Sequence, residues 1–497
     1  MSHYTRRDFL RLLGLAAGSV ALGACADRQS GLMANALPSR APSPDTINAL
    51  TLPLANFRAL NRLCYGPTVE ERRFVHTHGV RAWIEAQLDY DNIDDMETSV
   101  RLSPLDSLKM SASDIRDSYA SLFDTIDKEA AIAVLRQGTL LKQIYSHRQL
   151  YEMMVEFWSD HFNIYIDKGD GWFLKTVDDR EAVRPHALGN FRDLLSASVH
   201  SPAMLTYLDN QANRAGTPNE NYARELMELH TLGVHGGYQQ SDVQALARCL
   251  TGWGVNMDSL LHMGEFAFDE SQHDAQPKTV LGIHLQPDRV REAERVIEQF
   301  ATHPKTAEFI ATKLARRFIA DDPPSAAITR AAQVFVRSQG DIRATLRALL
   351  LDEDEQSWAT RAAKLKRPSQ FVVSAIRQTG ATCDGGLGLQ VALRQMGQNL
   401  FGWPTPDGYP DRTNAWQHNL LPRWQFALAL AYNQVDGLWI NPENINVLAQ
   451  AEHINALCKW LFGMALPTPV MTQIQSTTTE PRTILAALLC APEFQWR

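Results

Sequence analysis

Thr217-Pro218-Asn219-Glu220-Asn221-Tyr222-Ala223-Arg224-Glu225-Leu226-Met227-Glu228-Leu229-His230-Thr231-Leu232-Gly233 is the stretch whose reading decides the fold class. Tyr222, Leu226 and Leu229 recur at three- and four-residue spacing, which lines up one side of an α-helix, while Asn221, Arg224, Glu225 and Glu228 fall on the other side. The start is signalled chemically. Thr217 to Glu220 reads as a capping box with Pro218 at the first helical position, and Gly233 reads as the terminator. A second unit follows at once: Ser241-Asp242-Val243-Gln244 reads as another capping box, and Gly252 closes it. Together they predict two short helices joined by Val234-His235-Gly236-Gly237-Tyr238.

Outward from this pair the same period recurs in 116–123, 129–146, 186–199, 289–301, 305–320, 325–338 and 341–351. Strand-like alternation is scarce. Its best instance is Val280-Leu281-Gly282-Ile283-His284-Leu285, with Glu265-Phe266-Ala267-Phe268 as the expected partner across the intervening loop. The reading is therefore all-α: a large irregular multi-helix domain over 51–375 and a smaller C-terminal helical part over 376–497. The stretch 344–350 is weakly echoed at 483–489, as expected of two amphipathic Leu/Ala helices.

The N-terminus has the composition of an export leader. Arg6, Arg7 and Arg11 precede an apolar run from Leu12 to Ala24, about 13 residues, whereas spanning a bilayer takes about 20. Thr5-Arg6-Arg7-Asp8-Phe9-Leu10-Arg11 resembles the twin-arginine motif, and Leu22-Gly23-Ala24-Cys25 resembles a lipobox. These imply a cleaved signal over 1–24, acylation of Cys25, a Ser/Pro/Ala-rich tether over 25–50, and attachment to a membrane through that lipid. Ala26, in place of Asp, points to the outer membrane in a two-membrane cell, so the expected location is a periplasmic or outer-membrane lipoprotein.

Composition narrows the function. The chain has 497 residues, 45% of them hydrophobic and 21% charged, which is ample for a core. Its formal charge of −8 becomes −10 once the three Arg and one Asp of the leader are set aside, and no basic stripe is visible, which argues against nucleic acid as a partner. Beyond Cys25, the cysteines at 64, 249, 383, 458 and 490 are scattered, without CxxC spacing, so buried free thiols are expected rather than a disulfide framework.

Several ordered blocks carry a family resemblance: Asp160-His161-Phe162-Asn163, Arg184-Pro185-His186-Ala187-Leu188-Gly189-Asn190-Phe191, Tyr207-Leu208-Asp209-Asn210, the quoted 218–233 stretch, Leu250-Thr251-Gly252-Trp253, His273-Asp274 and Lys366-Arg367-Pro368. Together they resemble the bacterial domain-of-unknown-function family numbered 1800, over essentially everything after the tether. Gly402-Trp403-Pro404-Thr405-Pro406-Asp407-Gly408-Tyr409-Pro410 resembles one branch of it. The resemblance implies exported, mostly helical proteins, often encoded beside a second exported protein of the phosphatase/sulfatase type. It supplies no assigned catalytic residue.

The polar residues in these blocks are the candidates for chemistry. Glu225 and Glu228, with His161 and His230, offer the carboxylate and imidazole ligands of a divalent metal ion. His230 stands five residues after Glu225, roughly 140° around a helix, so Asp160-His161 would have to complete the set from another segment. Asp160, His161, Arg184, Arg224 and His273 are the groups that would act on substrate, with Arg184 and His186 at a helix start suited to an anion. Each has a structural alternative. Glu220–Arg224 and Arg224–Glu228 pairs explain the polar stripe as a wet face, an ion pair with Glu181 or a neighbouring helix explains Arg184, and a cap explains His273. Trp158, Trp172, Trp253 and Trp403 would line a sugar groove or fill core. G-x-S-x-G, P-loop, dinucleotide, H-E-x-x-H and haem CxxCH signatures are missing. Two functions stay open: an envelope hydrolase or modifying enzyme for an anionic or sugar-containing substrate, and a non-catalytic helical platform for another exported protein.

Overall fold

The apolar periodicity of the sequence is realised as helices whose ends are set by caps and prolines. In the computed structural model, residues 41–120, 127–259, 262–351, 357–361, 363–450 and 453–497 are described. The leader, Cys25 and the end of the expected 116–123 helix lie outside the described residues. The 129–146 stretch forms Lys128–Tyr145, 305–320 forms Pro304–Phe318, and 341–351 forms Ile342–Leu350, each begun by a side-chain cap at Asp127, His303 or Asp341. The 186–199 stretch begins its α-helix only at Phe191, because the Asn190 side chain accepts from the Arg192 N–H and caps it there.

Three helices position the site. Gln149–His161 buries Leu150, Met153, Met154, Phe157 and Trp158, yet carries Glu152, Glu156 and Asp160 at four-residue intervals along one face. Pro304–Phe318 buries Ala307, Ile310, Ala311, Leu314, Ala315 and Phe318, leaves Lys313 and Arg316 on its flank, and ends in Arg316-Arg317, where cations favour the helix C-terminus. Pro368–Thr379 is buried at every residue and starts at Pro368, with the backbone N–H of Arg367 donating to the Gln370 side chain.

One contiguous apolar cluster runs from Ile47 to Phe494. It crosses residue 376, which lies inside the Pro368–Thr379 helix, so the expected division there does not separate two cores. The end of the expected tether is structured as well: Pro44–Ala49 is helical, capped by Ser43, and buries Ile47. No helix among the described residues is long and apolar enough to cross a membrane.

The opening stretch differs from its reading in three ways. Its helix begins at Glu220 under an Asn219 cap, and the following helix at Gln240 with Gln239 and Asp242 as the box, so Pro218 and Ser241 do not hold the expected positions. The first helix is α only to Glu225 and continues as a π turn over Leu226–His230. That wider turn absorbs one residue more per turn and seats His230 fully inside, while Glu225 and Glu228 stay half-buried. Of its two candidate partners, Arg224 pairs with Glu220 at 2.9 Å.

The strands also pair differently. Glu265–Phe268 joins Trp253–Asn256, while Lys278–Val280 folds back on Ile283–Leu285 through Leu281 and Gly282, both at positive φ. That two-residue turn matches strand twist and makes 280–285 its own hairpin. Cys64, Cys249, Cys383 and Cys458 are buried free thiols, and Trp158, Trp172 and Trp253 are core.

Candidate functional site

The acidic face of the Gln149–His161 helix is matched by arginines drawn from across the chain. A buried unpaired carboxylate is costly, and each of the three has a cation. Glu152 binds Arg184 at 3.0 Å; Glu156 binds Arg317 and accepts from the hydroxyls of Tyr65 at 3.0 Å and Ser369 at 2.8 Å; Asp160 binds Arg367 at 2.6 Å. Arg317 also reaches Asp411 at 3.3 Å. The outcome divides the acids. Glu156, although buried, is held down at about 2 by Arg367 and Arg317, whereas burial raises Asp160 from its ordinary value against the pull of Arg367.

At the C-terminal end of this helix the chain opens into a cleft of about 290 Å³, which includes Asp160, His161, Lys313, Arg316, Asp407 and Tyr409 among its walls. A smaller inner cavity of about 30 Å³ shares Asp160, Arg367 and Tyr409 with it. One wall is the loop containing Trp403 to Pro410. Asn163 donates to the carbonyls of Trp403 and Thr405, Tyr207 donates to that of Pro404, and Asp407 accepts from Trp403 Nε1. Gly408, at φ +74°, lies directly on the Asp160 backbone, where any Cβ would collide with its carbonyl.

His161 sits at the back of the cleft among aromatic rings, with the Phe162 centroid at 4.5 Å and the Trp158 centroid at 5.4 Å. Its Nε2 lies 3.0 Å from the His230 carbonyl, which can only accept, so Nε2 carries the proton. Nδ1 is therefore the acceptor that faces Lys313 Nζ at 2.8 Å. Burial and the adjacent ammonium push the imidazolium far out of reach, and His161 is neutral. Desolvation also brings Lys313 down to about 8. Among the described residues neither Lys313 nor Arg316 has a carboxylate within salt-bridge distance, and the buried Arg316 Nε has no hydrogen-bond partner. Behind them His230 is fully buried with both ring nitrogens unpartnered, and desolvation lowers it to about 3.

Only Asp160 and His161 of the sequence candidates therefore line this cleft. No three His, Cys, Asp or Glu among the described residues come together as metal ligands, so the set His161, Glu225, Glu228 and His230 is not assembled. The reason is geometric: both ring nitrogens of His161 are engaged, and the π turn directs His230 inward, away from the half-buried Glu225 and Glu228. Arg184 is held by Asp179 at 2.6 Å as well as by Glu152, while Glu181 instead pairs with Arg180. His273 is locked between the Thr251 carbonyl at 2.8 Å and Glu292 at 3.2 Å, with Lys278 on the other Glu292 oxygen. Arg224 bridges Glu220 and Gln240 near the surface. Sequence reasoning missed Glu156, Lys313, Arg316 and Arg367. The available signal was acidic residues at four-residue spacing in an otherwise apolar helix, a pattern that demands buried cations.

Fold and cleft define a large all-α protein with a cation-rich polar cleft under one loop. The family described as a protein of unknown function (DUF1800) matches residues 58–496, and the chain belongs to it. No curated protein and no solved structure matches the chain.

Proposed function

We propose that this is an exported, lipid-tethered enzyme of the cell envelope that hydrolyses or otherwise modifies an anionic or sugar-containing substrate in the cleft at the end of the Gln149–His161 helix. The observation that supports this reading is the pair Lys313 and Arg316, two cations one helical turn apart on a cavity wall without a carboxylate partner among the described residues. A half-buried cation whose nearest carboxylates, here Asp160, Asp407 and Asp411 on the same walls, stand beyond salt-bridge distance keeps hydrogen-bonding capacity for an arriving anion. Asp160, raised from its ordinary value by burial, is placed to exchange a proton with a group bound beside it, and Lys313 and Arg316 stabilise negative charge. Calorimetric titration with inorganic phosphate tests the reading: binding is expected, and Arg316→Met raises Kd at least tenfold, about 1.4 kcal/mol. Absence of phosphate and sulfate binding to the folded protein removes it.

The platform reading has its own supporting observation. Leu421, Trp424 and Leu428 form an exposed apolar stripe along Leu420–Ala431. Co-expression with an exported phosphatase/sulfatase-type protein, the kind of partner that the family resemblance implies, tests this. A complex that Trp424→Glu abolishes, with phosphate binding intact, favours a docking role for that stripe; no complex excludes it.

A further inference from the structure

We infer that Lys313 is a nucleophilic amine that condenses with the carbonyl group of a substrate whose anionic group is held by Arg316. This rests on the cleft reading above and names its substrate class: a small molecule carrying both an aldehyde or ketone and a phosphate, sulfate or carboxylate.

The argument begins with what surrounds the amine. Among the described residues, the hydrogen-bonding partner of Lys313 Nζ is the lone pair of a neutral imidazole, His161 Nδ1, at 2.8 Å. That ring cannot turn away, because its Nε2–H is engaged by the His230 carbonyl and aromatic rings surround it. Three other buried lysines are neutralised, Lys175 by Asp178, Lys278 by Glu292 and Lys364 by Asp321, while Lys366 is buried against the Ser374 hydroxyl and the Phe494 ring without a carboxylate and lines neither cavity. Lys313 has Arg316 one turn away and Phe309 under its ammonium, and the carboxylates that share its cleft, Asp160, Asp407 and Asp411, all stand beyond salt-bridge distance from it. A lysine desolvated beside a second cation, with no carboxylate in direct contact to hold its proton, is the arrangement that frees the nitrogen lone pair for attack. Its descent to about 8 agrees with that arrangement.

The step balances without a co-reactant. The Nζ lone pair attacks the carbonyl carbon, the carbonyl electrons go to oxygen, and the carbinolamine takes up a proton there. Water leaves as the C=N bond forms, and the nitrogen has given up both of its protons. Asp160, on the same cavity wall, is the carboxyl group placed to relay a proton to the departing oxygen.

Pyridoxal 5′-phosphate, an aldehyde with a phosphate, is the probe. The full-length protein is treated with it and then with borohydride, and the adduct is mapped by peptide mass. The expected result is one dominant adduct at Lys313, suppressed by excess inorganic phosphate, absent in Lys313→Arg and reduced at least tenfold in Arg316→Met. Lys313→Arg keeps a cation but removes the primary amine, so it is expected to lose the adduct while its circular dichroism spectrum matches that of the unsubstituted protein. Labelling spread over surface lysines, with Lys313 unmodified in a protein that still binds phosphate, overturns the inference and leaves the anionic-substrate reading standing. Labelling of Lys313 that phosphate does not suppress overturns that reading instead.

Discussion

Two charged regions a few helices apart behave in opposite ways. Around Arg184 every charge is answered: Asp179 and Glu152 flank one guanidinium, at 2.6 and 3.0 Å. The His273 cluster is equally closed, with Glu292 shared between His273 and Lys278. In the cleft, by contrast, Lys313 is hydrogen-bonded to a neutral ring, and neither it nor Arg316 has a carboxylate within salt-bridge distance among the described residues, although Asp160, Asp407 and Asp411 share the walls. Both regions are rich in the residue types that carry chemistry. The difference is saturation: a closed network stabilises the native state against loss of a partner, whereas an open one keeps field and hydrogen-bonding capacity for a ligand.

Breaking the closed region has the largest expected effect. Arg184→Met leaves Glu152 and Asp179 buried without their cation, and urea denaturation is expected to show a loss of about 3–5 kcal/mol, with phosphate affinity of the folded protein unchanged. An equal loss from Arg316→Met would erase the contrast between the regions.

Acid sharpens it next. His230 has a folded value of about 3 against an ordinary 6.5, so between these pH values the unfolded chain binds a proton that the folded one refuses. Stability is therefore full above about 6.5 and falls as pH drops toward 3, by a few kcal/mol at the lower end. His161 acts in the same direction. His230→Leu is expected to flatten this limb and, because it removes two unpartnered buried nitrogens, to raise stability at pH 7 by about 1 kcal/mol. Denaturation midpoints across pH 4–7 for both proteins decide it.

The smallest effect belongs to the open region. Arg316→Met is expected to move stability by no more than about 0.5 kcal/mol, since no ion pair is lost, while abolishing most phosphate binding.

Much of the fold could be read from local pattern. Pro304–Phe318 follows from its Ala/Ile/Leu spacing and the Pro304 start, because propensity, capping and amphipathicity are properties of neighbours in sequence. The π turn at Leu226–His230 could not, since an α and a π turn share the same residue types and differ only in how packing seats His230. Of the site, Asp160-His161 was legible as a polar pair in an apolar setting. Its partners were not: Lys313 lies 152 positions from His161, and Arg367 lies 207 from Asp160.

The sequence by itself determined the helical class, the approximate extents of helices such as those at 129–146, 305–320 and 325–338, and the burial of four of the five thiols. Only the tertiary structure decided which cations meet which acids. Periodicity acts over one or two turns, whereas an ion pair depends on distance in space, and that is set by how the whole apolar core packs. The two cations left over in the cleft are a remainder of that long-range pairing, so no local stretch could announce them.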